Sequence, residues 1–324
     1  MYEATLRETL REYDSNPQSR SIVPRWWDRE DLKDIGTETH QFVNMSKYTV
    51  FLLTLLVGAL WVPSSQAKRL PGAKPKKILY KNVDGHKLYL HVFLPKNKAS
   101  SPVPGAIFFH SGGFNSGNPK QFYAQAKHLS DKGMVAMSAE YRIKNKHKST
   151  PFDAVEDAKS AMRFIRKNAK SLGMDPNKIL AAGASAGGHL AISTGTLKGF
   201  NAKFDDLSIS SRPTAAVLFC PVYDNGPQGY AYGRPGMAKR YKEFSPIHNI
   251  SGKMPPTLVM VGSKDVLVPT KTAKKFQQLM RKAGVKSELK IYQGQGHGFF
   301  NYGGYYDKTL KEMDRFLKEV NILK

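Results

Sequence analysis

A single cysteine, Cys220, stands among 324 residues, so no disulfide can close within the chain. It ends the apolar run Ala215–Cys220, a setting that reads as a buried, unreactive thiol. Neither an H-E-x-x-H motif nor a cluster of Cys and His occurs, so the common zinc patterns are excluded; the expectation is no metal and no cofactor. Acidic residues are scarce, 26 Asp plus Glu against 50 Lys plus Arg, for a net charge of +24. Long apolar runs are lacking too. The stretch Thr49–Val62 has 14 residues, short of the roughly 20 that a membrane-spanning helix needs. No internal repeat is visible, and 40% hydrophobic residues suffice for one large core.

The short apolar stretch instead fits a signal-peptide core. Lys47 precedes it, Lys68-Arg69 follows, and Ser65-Gln66-Ala67 offers the small residues a signal peptidase reads, so cleavage is expected after Ala67. Met45 with Ser46-Lys47-Tyr48 makes a basic start. The expected division is therefore 1–44 as a mis-called start or disordered extension, 45–67 as a signal peptide, and 68–324 as one catalytic domain. A secreted or periplasmic protein follows, with no stable membrane span after processing; an uncleaved signal anchor is the alternative. No cysteine lies nearby to carry a lipid. From Lys68 onward there are 43 Lys plus Arg against 17 Asp plus Glu, so the surplus of +26 sits on the catalytic part. The lysines are scattered from Lys74 to Lys290 without a recognition motif, which argues against a specific nucleic-acid partner. They leave two readings, a solvated basic surface or attraction to an anionic polymer or envelope surface.

What is present in strength is a set of small-residue turns after strand-like runs. Lys178–Ala182 leads into Gly183-Ala184-Ser185-Ala186-Gly187-Gly188-His189, a serine between small residues on a sharp strand-to-helix turn. A serine hydroxyl becomes a useful nucleophile when such a turn exposes it to a base and to backbone N–H donors. The strand pattern Pro256–Gly262 is followed by Asp265, and the alternation Leu289–Tyr292 by the glycine-flanked His297. The order Ser185, Asp265, His297 differs from those of the chymotrypsin-like and subtilisin-like proteases. Upstream, Ala106–Phe109 ends in His110-Ser111-Gly112-Gly113. There Gly112 and Gly113, together with the Ala186 N–H, are the expected oxyanion donors. Asp224 is the alternative acid. His189 and His248 read as structural, and His110 as a shaper of the oxyanion loop. The Gly- and Pro-rich stretch Asp224–Gly236 is the candidate lid, with His110, Tyr230 and Tyr232 as candidate substrate contacts.

From about Lys77 to the C-terminus the chain resembles the α/β-hydrolase superfamily. Within it the chain is most similar to the secreted esterase and lipase branch with acetyl-xylan-esterase-like and feruloyl-esterase-like enzymes, related to the hormone-sensitive-lipase group. The segment Ser185–Ala191 and Glu140-Tyr141-Arg142 ahead of Pro151–Ala158 carry the resemblance. Ala184 departs from the acidic residue usual in the hormone-sensitive-lipase group. A hairpin around Asp84-Gly85, strands at Gly105–Phe109, Met134–Tyr141 and Ala215–Val222, and helices over 121–132 and 151–172 predict an α/β fold. It has a mostly parallel central sheet, helices on both faces, a small lid and no large cap. The implied activity is cleavage of short acyl, chiefly acetyl, esters of a small molecule or a polysaccharide. A prolyl-oligopeptidase-like peptidase and a non-catalytic binding protein are the competing readings.

Overall fold

Asp84 and Gly85 turn the chain back on itself. Both adopt positive φ, 50° and 77°, which a two-residue hairpin loop requires, and strands β1 (Lys76–Val83) and β2 (His86–Phe93) pair antiparallel across them. The structure, a computed structural model, describes residues 74–97 and 100–324. The expected extension (1–44) and signal peptide (45–67) lie outside the described residues.

Six further strands complete the sheet: β3 (Val103–Phe109), β4 (Val135–Ala139), β5 (Met174–Ala184), β6 (Ala215–Phe219), β7 (Thr257–Gly262) and β8 (Ser287–Tyr292). Their order is β1-β2-β4-β3-β5-β6-β7-β8, antiparallel at β1/β2 and β2/β4 and parallel at every later pair. Every residue of β4, β6 and β7 is buried, as parallel strands covered on both faces should be. Side chains alternate between two cores. Ile107 and Phe109 pack with residues of helices α3 (Pro151–Lys167), α5 (Ala186–Thr196) and α7 (Thr270–Lys282). Ala106 and Phe108 face α1 (Tyr123–Asp131) and α8 (Gly303–Glu319) on the other side. The remaining helices are the short turns α2 (Lys144–His147) and α4 (Ala169–Leu172), and α6 (Met237–Phe244) between β6 and β7.

Local chemistry sets the helix boundaries. Thr150 and Asp153 form a reciprocal capping box with Pro151 at the first helical position, which starts α3. The helix expected over 151–172 is broken at Asn168, whose amide side chain donates to the Phe164 carbonyl (2.8 Å); α4 then resumes and stops at Gly173, φ 71°. The helix expected over 121–132 begins as a 3-10 turn, Pro119–Phe122, capped by Asn118. The strand expected over 215–222 ends at Phe219, because Cys220 adopts a φ of 43° that no ladder accommodates. The α8 helix has no counterpart in the sequence expectations. Leu310, Met313, Phe316 and Leu317 form its buried stripe. Among the described residues no helix is long and apolar enough to cross a membrane.

Candidate active site

The Ser185 elbow is possible because Gly183 and Gly187, two residues to either side, have no side chain to place. Ser185 itself sits at φ 54° and ψ −119°, a strained conformation for any residue but glycine. A Cβ on Gly183 would lie 2.3 Å from the Gly187 carbonyl oxygen, and one on Gly187 would lie 2.1 Å from that of Phe109. The end of β3 therefore rests directly on the start of α5, which brings the loop after β3 beside Ser185. The Ser185 N–H donates to the Phe219 carbonyl (2.9 Å), and its own carbonyl accepts from His189 and Val222 N–H (3.0 and 3.1 Å). With its backbone so committed, the strained turn holds the serine at the C-terminal edge of the sheet.

Asp265 and His297 meet at that edge. Asp265 follows β7 and is buried; its Oδ1 accepts from the N–H groups of Leu267 and Val268 (3.0 and 2.9 Å), while Oδ2 accepts from His297 Nδ1 at 2.8 Å. Burial pushes this carboxyl up, but the hydrogen bonds from His297 and Val268 outweigh it and hold the group below its usual range. Asp224, the alternative acid, instead caps its own loop by accepting from Gly226 N–H (2.8 Å). Cys220, buried as its strand context predicts, lies within 4.8 Å of the Asp265 and His297 ligand atoms. Burial and then the Asp265 carboxylate push its thiol up to about 12, so it stays neutral near pH 7. No hydrogen bond joins Ser185 Oγ to His297 in this structure. That contact commonly tightens only when substrate binds.

The loop after β3 is built to present N–H groups. Gly112 and Gly113 adopt φ 122° and 61°, and the Gly112 carbonyl is drawn away by Asn115 and Ser116 N–H (both 3.0 Å), which turns the Gly113 N–H the opposite way. Ala186 lies at the first position of α5, where the N–H has no intrahelical acceptor. Ser111, in the place of a third glycine, pins the loop by donating from N and Oγ to Gln121 Oε1 (2.7 and 2.9 Å). His110 is buried, stacks on Tyr141 (4.2 Å between ring centroids), and donates from Nδ1 to the Ser111 carbonyl (2.7 Å). Burial depresses its pKa to about 4, so the ring is neutral, and the buried side chain is tied to the loop by that hydrogen bond.

Of the two tyrosines of the candidate lid, the fold brings only Tyr230 to the loop. Its hydroxyl lies 3.5 Å from the Gly113 carbonyl, and a Cβ on Gly113 would fall 2.1 Å from that oxygen. Tyr232 packs edge-on against Tyr241 of α6 instead. Sequence reasoning missed Arg234 and Tyr141. Arg234 donates to the Gly113 carbonyl at 2.7 Å and stacks over Phe114 and Tyr230; Tyr141 donates to the His110 carbonyl at 2.8 Å. The candidate lid Asp224–Gly236 contained Arg234, and the Glu140-Tyr141-Arg142 motif contained Tyr141. In it Glu140 holds His91 (2.8 Å) and Arg142 grips buried Asp157 of α3 through two nitrogens.

Comparison with known proteins agrees with this geometry. A BD-FAE family model matches residues 90–219 and a dienelactone hydrolase family model matches 230–320. An acetylxylan esterase of Xylanibacter ruminicola is 26% identical over 290 residues, 84% of this chain and 55% of that protein. Esterase LipC of Mycobacterium tuberculosis is 27% identical over 241 residues, 65% of this chain and 56% of that protein. The chain thus spans about half the length of the curated relatives it matches. Over nearly its whole length a thermophilic esterase of Thermogutta terrifontis, solved with propionate bound, superposes with a TM-score of 0.73 at 38% identity, covering 77% of this chain and 96% of that one. With sheet order, elbow and relatives in agreement, this chain belongs to the α/β-hydrolase family.

Proposed function

We propose that the protein is a serine carboxylic-ester hydrolase for short acyl groups, acetyl esters of carbohydrate foremost, in which Ser185 is nucleophile, His297 base and Asp265 the orienting acid. The observation that carries this reading is the 2.8 Å hydrogen bond from His297 to buried Asp265, at the same sheet edge as the strained Ser185. Because Nδ1 carries the proton given to Asp265, Nε2 is the free base. It takes the proton from Ser185 Oγ as that oxygen bonds to the ester carbonyl carbon, and the oxyanion accepts from Ala186 N–H and from Gly112 or Gly113 N–H. On collapse the bond to the alcohol breaks and the His297 proton goes to the departing oxygen. Water then attacks the acyl-serine and gives a proton to His297, which returns it to Ser185 Oγ as the acid leaves. Asp265, held ionised, stabilises the imidazolium throughout.

The short-acyl preference is supported by the propionate- and butyrate-bound structures of the Thermogutta esterase, and the carbohydrate alcohol by the acetylxylan esterase relative. Each further buried CH₂ is worth about 0.8 kcal/mol only where a wall can cover it. The test is a series of p-nitrophenyl esters on the wild type and Ser185→Ala. We expect acetyl to butyryl esters to be cleaved fastest and Ser185→Ala to lose at least about a thousandfold. Residual turnover within about tenfold of wild type would remove Ser185 from its role. A maximum at about twelve carbons or beyond would replace the short-acyl reading with a lipase. We further propose that residues 45–67 direct export. Secreted material should then begin at or near Lys68, and recovery of a chain starting at Met1 contradicts the proposal.

A further inference from the structure

At the opposite edge of the sheet, where β5, β6 and β7 begin, a cleft of about 790 Å³ opens among Arg166, Lys167, Arg212 and Lys253. That size falls in the range of small-molecule sites, roughly 300–1,000 Å³. Four cations line it and no Asp or Glu does. The two arginines are fixed by main chain, not by counter-charge. Arg166 donates from Nε to the Pro176 carbonyl (3.1 Å) and through its other nitrogens to the carbonyls of Ser210 and Arg212 (2.8 Å to the latter). Arg212 in turn donates to the Lys253 carbonyl at 3.0 Å. The neighbouring acid Asp206 lies outside the lining, with its carboxylate taken by Ser208 (2.6 Å). Elsewhere on α3 a basic residue has found its acid, as Arg163 has in Asp205 at 2.7 Å.

Two guanidinium groups held side by side cost Coulomb energy unless an anion joins them, and here burial followed by the Arg212 charge lowers the Arg166 pKa. Of the five N–H donors of Arg212 only one is spent on the protein, which leaves a planar fork suited to an oxyanion. Asn177 and Ser210 add polar groups, and the exposed Pro176 a flat apolar face, a mixture that suits a sugar ring carrying a carboxylate. The surplus of +26 from Lys68 onward supplies the long-range attraction for a polyanion.

We propose that this cleft is a second, non-catalytic binding site for the carboxylates of an acidic polysaccharide, which would hold the polymer while its esters are cleaved at the other edge. The choice of a polysaccharide rests on the carbohydrate-ester reading above; the oxyanion preference rests on the cleft alone. The test measures binding, not turnover, with the full chain carrying Ser185→Ala, so failure of the esterase reading leaves it readable. Polygalacturonate should bind, and unsubstituted neutral xylan should bind far more weakly. Replacing the pair Arg212→Gln and Lys253→Gln should weaken polygalacturonate binding by about tenfold or more. Lys274→Gln with Lys275→Gln, which removes the same charge from the exposed side of α7, should change it by less than about twofold. Equal losses in the two double variants would reduce the attraction to net charge and overturn the site. So would absence of binding, equal binding of neutral xylan, tighter binding of duplex DNA, or displacement by inorganic phosphate at concentrations matching the uronate.

Discussion

At the scale of single residues, the site rests on one strained backbone and one oriented imidazole. A non-glycine residue at φ 54° and ψ −119° costs on the order of 1–3 kcal/mol, and the surrounding hydrogen bonds of Ser185 hold it there. The two aspartates that follow neighbouring strands differ in what they face: Asp265 meets His297, whereas Asp224 closes its own loop. Asp265→Asn should therefore lower kcat by about a thousandfold or more, since an amide that donates to Nδ1 fixes the wrong tautomer, while Asp224→Asn should stay within about threefold of wild type. Steady-state kinetics on both variants check this. The reverse ranking would transfer the role to Asp224.

Elements are where caps and breaks decide the boundaries. Helix α3 carries Asp157, the partner of Arg142, and residues such as Val155 and Ala158 that pack under the sheet, so its start matters to the whole face. Thr150→Ala removes one half of the capping box and should cost about 1 kcal/mol in urea unfolding with ester hydrolysis unchanged. Stability equal to wild type would mean that packing alone fixes the helix start. The hairpin at Asp84-Gly85, the parallel core strands and α3 were legible because turn chemistry and apolar runs are local signals. The break at Asn168 and the arrest of β6 at Cys220 were not, because a side chain reaching back one turn and a single positive φ leave no periodic trace.

On the scale of the molecule, buried neutral histidines tie stability to pH. Burial holds His110 at about 4 and His189 at about 3, against roughly 6.5 in an unfolded chain. Between pH 6.5 and those values the unfolded state binds more protons than the folded one, so stability falls as pH drops, by at most about 1.4 kcal/mol per pH unit for each histidine. Above about pH 7 these two groups contribute no slope. Urea unfolding at pH 7 and pH 5 should differ by on the order of 3 kcal/mol, and His189→Gln should make the decline shallower. Stability that is constant or rises toward pH 5 would show that both rings are already accessible to protons in the fold.

By itself the sequence determined the hydrolase architecture and offered Ser185, Asp265 and His297, in that order, as the candidate site residues, since each falls just past a strand whose apolar run announces it. Glycines 183 and 187 were equally legible as small residues, but the carbonyls they make room for belong to Phe109 and to the helix itself, and only packing sets those distances. The tertiary structure alone decided that Asp265 and not Asp224 faces the imidazole, that Tyr230 but not Tyr232 reaches Gly113, and that Arg234 binds the Gly113 carbonyl. It also gathered Arg166, Arg212 and Lys253 into one cleft from three separate stretches of chain. The physical reason is the same in each case: periodicity and turn chemistry act between neighbours in sequence, whereas a hydrogen bond or a cluster of charges across the sheet depends on how the crossover connections bring distant segments together.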